Sequence, residues 1–137
     1  MKLTKFDTGW IAGFIESEGI FTTNTLKFKR KSKSGIKNYF YLNPAFYLVS
    51  KDKAALEIVR SLLKMGKINK HGEIFHLDIR RKDDSIRLAA FLEGKLKSDT
   101  KSQQFEIWKR RVMEWKSRAW GEGVAQIDKK EQQSNSG

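Results

Sequence analysis

The chain of 137 residues contains no cysteine, only two histidines and one proline, and no long apolar run. Without cysteine, disulfide bonds and thiolate metal sites are excluded, so any bound metal must have oxygen or nitrogen ligands. Two histidines are too few for a convincing histidine-based zinc site. No segment approaches the ~20 apolar residues of a membrane helix, and the first residues lack a charged-then-apolar leader. We therefore expect an intracellular protein with no membrane partner.

Acidic residues are scarce relative to basic ones. There are 16 Asp and Glu against 28 Lys and Arg, which gives a formal net charge of +12. Such a surface attracts polyanions, so nucleic acid is the leading class of partner, ahead of an anionic membrane surface. The length fits a single domain, which we place at residues 1–127. Residues 128–137 are polar and lack apolar anchors, which predicts a disordered tail.

The most informative segment, WIAGFIESEG, spans residues 10–19. It is typical of an apolar helix that ends in a carboxylate and a glycine. Gly13 and Ser17 lie four residues apart, so they share one helical face and let a second backbone approach closely. Glu18 is the carboxylate at the predicted helix end, and Gly19 is expected to take the left-handed conformation there.

Residues 11–19, IAGFIESEG, resemble the LAGLIDADG motif of homing endonucleases at all nine positions, with conservative changes. The chain holds one copy of this motif and no internal repeat. The resemblance therefore implies a homodimer in which the motif helices of two chains pack together. The residues expected at that interface are Trp10, Gly13, Phe14 and Ser17.

The remaining periodicities predict an α+β fold with the element order α-β-β-α-β-β-α-α. After the motif helix, strands are predicted at 20–30 and 38–50 around a basic turn at 31–37, a helix at 52–64, strands at 66–70 and 73–81, and helices at 84–92 and 102–120. Helices on one face of a four-stranded antiparallel sheet would follow. This order is that of a LAGLIDADG domain, and the resemblance implies that the sheet is saddle-shaped.

Four local features are predicted around these elements. Asp7 is a candidate N-cap of the motif helix, with Phe6 and Ile11 as a hydrophobic staple. The phase of apolar residues breaks near Leu26, which indicates a bulge or twist in the first strand. On the second strand the apolar residues at even positions form the inward face, and they are Phe40, Leu42, Phe46 and Leu48. Three tryptophans at helical spacing, Trp108, Trp115 and Trp120, are expected to pack in the core rather than stack on bases.

A pair of motif acids at a dimer axis requires a cation. Two desolvated Glu18 carboxylates side by side are costly unless positive charge lies between them. Oxygen ligands of this kind suit Mg²⁺, with Mn²⁺ as a substitute. The resemblance implies that Glu18 and the main-chain carbonyl of Ser17 hold the metal against a scissile phosphate. It also implies cleavage of both strands across the minor groove, leaving short 3′ overhangs.

The resemblance implies further catalytic groups at two places. Family members often place a water-positioning glutamine just after the second strand, where this chain has Ser50 followed by Lys51. Serine is shorter, so the role either weakens or passes to Lys51. A basic residue near the last helix commonly supports catalysis, and the candidates are Lys97 and Lys101, between which the sequence does not choose.

A β-ribbon fits the major groove, where every second side chain of a strand points at the bases. The side chains expected to contact bases on the long hairpin are Thr22, Asn24, Leu26, Tyr39, Tyr41, Asn43 and Tyr47. On the short hairpin they are Asn69, His71, His76, Asp78 and Arg80. Phosphate contacts that fix the register are expected from Lys27, Lys29, Arg30, Lys31, Lys33, Lys37 and Lys51.

The predicted function is site-specific, Mg²⁺-dependent cleavage of double-stranded DNA by a homodimer acting on a long pseudo-palindromic site. The intron-homing role is implied by the resemblance alone. Three alternatives stay open at this point. The first is an RNA maturase that assists intron splicing on the same fold, the only case with an RNA partner. The second is a non-catalytic DNA-binding regulator, and the third is a basic ribosome-associated protein.

Overall fold

The structure, a computed structural model, describes residues 2–117, apart from the side chains of Leu26, Phe28, Arg30, Ser32, Lys37, Tyr39, Phe40 and Tyr41. Its elements are α1 (Lys5–Glu18), β1 (Gly19–Ser32), β2 (Gly35–Ser50), α2 (Lys53–Leu63), β3 (Lys67–His71), β4 (Ile74–Ile79), α3 (Lys82–Leu92) and α4 (Asp99–Ser117). The predicted α+β class and element order are confirmed. Trp120, the end of the predicted last helix, and the predicted tail lie outside the described residues.

The motif helix begins earlier than predicted, and Thr4 rather than Asp7 is its N-cap. The Thr4 hydroxyl accepts a hydrogen bond from the Asp7 backbone N–H at 3.0 Å, and the Asp7 carboxylate accepts one from the Thr4 N–H at 3.3 Å. This reciprocal pair is a capping box, which the sequence hides because aspartate replaces the usual glutamate. The predicted staple is wrong, because Phe6 is 77% exposed whereas Ile11 is buried.

Gly19 connects α1 to β1 without a left-handed turn. Its φ of −79° and ψ of 143° are extended, so the predicted left-handed cap is wrong. The glycine is required by space instead, because a Cβ here would lie 2.7 Å from the Ile15 carbonyl oxygen and 2.9 Å from the Phe46 ring. The chain therefore passes directly from the motif helix into the sheet, which fixes Glu18 at the sheet's edge.

The sheet is antiparallel, with the strand order β1-β2-β4-β3. Phe46 and Leu48 of β2 and Leu77 and Ile79 of β4 are buried on the face that the helices cover, here called the inner face. The opposite face is called the outer face. Phe46 and Leu48 were predicted to point inward, and they do. Leu42 was assigned to the same set but is 38% exposed, because the hairpin extends beyond the helices at that point.

The long hairpin is more regular than its sequence suggests. Its register runs unbroken from Gly19 opposite Leu48 to Ser32 opposite Gly35, so the predicted bulge near Leu26 is absent from the paired residues. The predicted turn at 31–37 is also wrong in length, since only Lys33 and Ser34 separate the two strands. Continued cross-strand pairing overrides the turn-like composition of that segment.

The helices close the core over the inner face. Asp52 caps α2 as predicted, its carboxylate accepting the Ala54 N–H at 3.0 Å. On α4, which begins three residues before its predicted start, Trp108 is buried and donates its indole N–H to the Ala45 carbonyl at 3.1 Å. Its predicted packing role is confirmed. Among the described residues, no helix combines the length and apolarity needed to span a membrane.

Candidate active site and nucleic-acid interface

Glu18 ends the motif helix as an exposed carboxylate with little compensation from its own chain. Its Oε1 accepts a hydrogen bond from the Ser17 hydroxyl at 3.2 Å. Among the side chains that the structure describes, no lysine, arginine or histidine forms an ion pair with it, and the last turn of α1 contains no basic residue. At the junction of α1 and β1, the Glu18 carboxylate therefore has no ion-pair partner among the described side chains.

The end of α1 supplies further oxygen donors beside this carboxylate. The last carbonyls of a helix lack intrahelical partners, and they carry the negative end of the helix dipole. Because α1 ends at Glu18 and residue 21 already lies in β1, the Ser17 carbonyl has no helical donor. A carboxylate next to such carbonyls has the hard oxygen chemistry that Mg²⁺ prefers. No cluster of three acidic or histidine side chains that could hold a metal occurs in the described part of one chain.

The two candidate lysines make different contacts near this junction. Lys101, in the first turn of α4, donates from its Nζ to the Gly19 carbonyl at 2.7 Å, one residue beyond Glu18. Lys97 contributes its backbone N–H to the Glu16 carboxylate at 2.6 Å, while the residue itself is exposed. Of the two ammonium groups, the Lys101 ammonium is therefore the one that the fold places against the end of the motif.

Glu16, the second acid of the motif, is a structural anchor. Its carboxylate accepts hydrogen bonds from the backbone N–H of Lys97 at 2.6 Å and from the Ser98 hydroxyl at 2.7 Å. Partial burial raises the pKa of Glu16, but the bonds from Lys97 and Ser98, aided by the charge of Lys101, outweigh burial and hold this pKa below its ordinary value. These contacts tie α1 to the start of α4, as expected for a structural residue.

The Glu16 anchor predicts an acid-sensitive stability difference. Because its folded pKa is lowered, the stability it contributes is present above the unfolded pKa of about 4.3 and is lost as pH falls through the folded value. Glu16→Gln should lower the melting temperature at pH 7 by a few degrees. The difference in melting temperature between Glu16→Gln and wild type should disappear when the measurement is repeated at lower pH, down to about pH 3. Glu57→Gln, at an exposed residue paired only with Lys53, is the control. A gap that persists in acid would contradict this account.

Ser50 is poorly placed for the predicted water-positioning role. It alternates onto the inner side of β2, and its hydroxyl accepts the Asp52 N–H at 3.0 Å in the turn before α2. The outward residue of β2 nearest the end of α1 is Val49, because Leu48 pairs with Gly19. Valine has no polar group for this task, so exposed Lys51 is left as the polar candidate at this strand end.

The exposed face of α1 carries small and aromatic residues. Gly9, Gly13 and Ser17 follow one another at four-residue spacing, and all three are exposed. Trp10 and Phe14 are half-buried beside them, with ring centroids 5.6 Å apart. A Cβ added at Gly13 would meet no atom within 4 Å. No contact among the described residues of the single chain accounts for such small and apolar side chains on this exposed face.

The outer face of the long hairpin brings the predicted polar residues together. Asn24 lies opposite Asn43 in the register, and Thr22 lies two residues along on the same face. The Tyr47 hydroxyl donates to Asn24 Oδ1 at 3.2 Å, which links the two strands. These four side chains are half-buried rather than fully exposed, so their polar ends are held in place on the surface.

The short hairpin continues this outer face. In the register, Tyr47 lies opposite Asp78, and His76 lies opposite Asn69. Asn69 donates to Asp78 Oδ2 at 2.6 Å, and the rings of His71 and His76 lie 4.3 Å apart. The alternation predicted from the sequence therefore places all five predicted residues of this hairpin on one surface, with Arg80 immediately after β4.

Most of the described lysines predicted to bind phosphate on the long hairpin do not share that surface. Lys27, Lys29 and Lys31 occupy odd positions of β1, which alternate toward the inner side with Phe21. They are exposed because the hairpin there extends past the helices. Lys33 lies at the turn itself. The side chains of Leu26, Arg30, Lys37, Tyr39 and Tyr41 lie outside the description, although the register places all five positions on the outer face.

Sequence reasoning missed several residues beside this surface. Lys67 lies opposite Asp78 on the outer face and is exposed. Next to it, a cleft of about 790 Å³ separates β3 and β4 from the end of α2. Most of its charged lining is basic, and comprises Arg60, Lys64, Lys67, Arg80 and Arg81 with Asp78 and Asp84. These cations are dispersed in sequence, so only the packing of α2 on the sheet brings them together.

Known proteins resemble both the sequence and the fold. The sequence profile described as LAGLIDADG endonuclease matches residues 11–112, whereas no curated protein sequence matches the chain. Among solved structures, the archaeal intron-encoded homing endonuclease I-Vdi141I complexed with DNA is 24% identical with a TM-score of 0.62. The match covers 79% of this chain and 67% of that one.

Two further solved structures share the fold. The homing endonuclease I-TnaI is 23% identical with a TM-score of 0.65, over 85% of this chain and 76% of that one. The homing endonuclease I-CvuI, solved with a DNA target in the presence of 2 mM Mg and with the DNA not cleaved, is 12% identical. Its TM-score is 0.65, over 82% of this chain and 69% of that one. At these identities the likeness shows the fold alone.

Proposed function

Because this chain belongs to the LAGLIDADG endonuclease family, we propose that it is a homing endonuclease that cuts double-stranded DNA at a specific site. Two copies act together on a long, pseudo-palindromic sequence, and cleavage depends on Mg²⁺ or Mn²⁺. The observation that carries the proposal is the single exposed Glu18, without an ion pair among the described side chains, at the end of a helix whose exposed face carries small and aromatic residues. One chain holds half of such a site.

The dimer follows from the face of α1 that the single chain leaves open. Helices approach closely where small residues line the contact, and Gly9, Gly13 and Ser17 provide such a line. Trp10 and Phe14 flank it and supply apolar area that a second copy would bury. A two-fold axis along this face brings the two Glu18 carboxylates to the same end of the interface.

The metal site is shared between the two chains in this proposal. In each copy the Glu18 carboxylate and the Ser17 carbonyl are the groups that would hold Mg²⁺. A bound divalent ion would stabilise the charge on the attacking and leaving oxygens of an in-line phosphoryl displacement. The chain's own residues then do the positioning: Lys101 holds the Gly19 carbonyl, and Glu16 holds α1 against the start of α4.

The outer face of the sheet is the proposed DNA-binding surface. A two-stranded ribbon enters the major groove, and alternation directs one set of side chains to the base edges. On the outer face, the side chains that carry hydrogen-bond donors or acceptors include Asn24, Asn43, Asn69, His76 and Arg80. Exposed lysines at the tip of the long hairpin, such as Lys29 and Lys33, then reach the flanking phosphates.

Replacing the two candidate lysines separately should distinguish their roles. Lys101→Met removes the ammonium beside the motif end, and it should slow cleavage by about 10²–10³-fold, the cost of losing one preorganised electrostatic group. Lys97→Met should change the rate by less than about threefold, since Lys97 contributes only its backbone N–H to the anchor. Single-turnover cleavage at saturating protein measures both. Lys101→Arg should recover part of the rate, and equal effects of both methionine variants would contradict the assignment.

The DNA-binding part of the proposal is tested by selection. The purified protein is incubated with a pool of randomised duplex DNA, and with a matched pool of structured RNA, and the bound molecules are sequenced. Enrichment of duplexes with a two-fold symmetric motif, bound by two chains, is the expected result. Enrichment of RNA alone would favour a maturase. Enrichment of neither pool would overturn the nucleic-acid assignment.

A further inference from the structure

We propose that Arg80 reads a guanine at one position of each half-site, and that Asp78 positions it for that contact. The proposal rests on the DNA-binding function proposed above and names one of its specificity contacts. Arg80 follows β4 directly, and its side chain is 58% exposed on the outer face. Two neighbouring side chains on that face, those of Tyr47 and Asp78, restrict its position.

The first neighbour is an aromatic ring. The Arg80 guanidinium carbon lies 5.3 Å from the centroid of the Tyr47 ring, within the range of a cation–π contact. Tyr47 is itself fixed, because its hydroxyl donates to Asn24 across the hairpin. The guanidinium is therefore held over the middle of the sheet, at the boundary of β2 and β4, rather than at a hairpin tip.

The second neighbour is a carboxylate that the fold has buried. Asp78 is 8% exposed, and its Oδ2 accepts the Asn69 amide at 2.6 Å and lies 4.0 Å from Arg80 Nη2. Its Oδ1 has no hydrogen-bond donor among the described residues, and His76 Nδ1 is 4.0 Å away. Because the charge of this carboxylate is only partly compensated, it attracts the guanidinium and biases its position, although the two groups form no hydrogen bond at 4.0 Å.

This environment favours a base over a phosphate as the partner of Arg80. A phosphate beside the guanidinium would also lie close to the Asp78 carboxylate, and like charges repel at that range. Guanine instead offers two neutral acceptors, O6 and N7, that match the fork of an arginine in the major groove. An arginine already held by a ring and a carboxylate loses less conformational freedom on binding, which sharpens that recognition.

The experiment compares selected sites. Wild type, Arg80→Ala and Arg110→Ala each select from the same randomised duplex pool, and Arg110 is an exposed arginine on α4 that controls for the lost charge. The wild-type site should hold guanine at one position per half-site with a preference of roughly tenfold or more. Arg80→Ala should reduce that preference to less than about threefold there and leave the other positions intact. Arg110→Ala should leave every position unchanged.

Asp78→Asn tests the positioning role, because it should change affinity and guanine preference in opposite directions, which a loss of folding stability would not do. Removing a negative charge from the DNA-facing surface should raise affinity for all duplexes while the guanine preference falls. In the Arg80→Ala background, Asp78→Asn should cause no further loss of that preference, because Asp78 acts through Arg80. A melting curve confirms that each variant is folded.

Three results would contradict the proposal in whole or in part, and they are distinguishable. If Arg80→Ala weakens binding to all duplexes equally and lowers the salt dependence of binding, Arg80 contacts a phosphate. If wild type enriches no duplex at all, the proposed DNA-binding function fails and this assignment fails with it. Lower affinity of Asp78→Asn for all duplexes, together with a lower melting temperature, would remove the positioning role of Asp78.

Discussion

Glu18→Gln is expected to abolish DNA cleavage and to leave DNA binding intact. Glutamine has the size of glutamate but is a weaker ligand for a hard cation, since it lacks the negative charge. Each site would lose several kcal/mol of transition-state stabilisation, which corresponds to a rate about 10³-fold lower or more. Binding should be unchanged or tighter, because the variant removes negative charge near the phosphates. Single-turnover cleavage and equilibrium binding on one selected duplex measure the two effects.

The control for this variant removes the same charge elsewhere. Glu114 is exposed on α4, and its backbone carbonyl accepts a hydrogen bond from the Ser117 hydroxyl at 2.8 Å, three residues along the helix. Glu114→Gln should therefore cleave at the wild-type rate. Glu18→Asp keeps the carboxylate and should retain far more activity than Glu18→Gln. Full cleavage by Glu18→Gln would show that the motif acid has no role in the reaction.

Gly13→Leu is expected to prevent dimerisation while leaving the single chain folded. A Cβ at Gly13 meets no atom within 4 Å in one chain, and leucine is a better helix former than glycine by roughly 1 kcal/mol. In the dimer, each copy would insert a leucine between closely packed helices. Overpacking costs about 1–3 kcal/mol per site, so two sites should weaken dimerisation by about 2–6 kcal/mol. Cleavage should fall with the dimer population.

Sedimentation of the free protein over a range of concentrations measures this effect, and a melting curve measures the stability of the chain. Ala90→Leu, at an exposed position of α3, adds the same side chain on a different helix as the matched control and should sediment as wild type does. If Gly13→Leu remained a dimer with full cleavage, the exposed face of α1 would not be the interface. A monomeric wild type in the presence of DNA would contradict the shared site itself.

The parts of the fold that sequence predicts well are those where local pattern and packing agree. On β2, apolar Phe46 and Leu48 alternate with polar Asn43 and Tyr47, so the buried and open faces differ in composition and can be assigned. Asp52 precedes an amphipathic stretch, and it caps α2 as expected. Strand alternation likewise predicts that Asn69, His76 and Asp78 of the short hairpin share one face, as the register of β3 and β4 shows.

The parts that sequence misses depend on contacts between distant residues. Gly19 is required by the approach of Phe46 and the Ile15 carbonyl, which no local pattern reveals. The turn-like residues after Arg30 are kept in strand by pairing across the hairpin. The backbone of Lys97 and the hydroxyl of Ser98 bind Glu16, and these bonds hold the start of α4 beside α1. As a result, the Lys101 ammonium contacts the end of α1, whereas the Lys97 residue is exposed. The contacts of Lys97 and Lys101 with the end of α1 span 81 and 82 residues, and helical or strand periodicity carries no record of them.

The most direct test of the shared, metal-dependent site is cleavage of a selected duplex by the purified protein with Mg²⁺, and in parallel with EDTA. Sequencing of the product ends should show that both strands are cut within the symmetric motif, leaving short 3′ overhangs, and that EDTA prevents cutting. A duplex that is bound tightly but stays uncut with either Mg²⁺ or Mn²⁺ would contradict the account and identify the protein as a DNA-binding regulator on this fold.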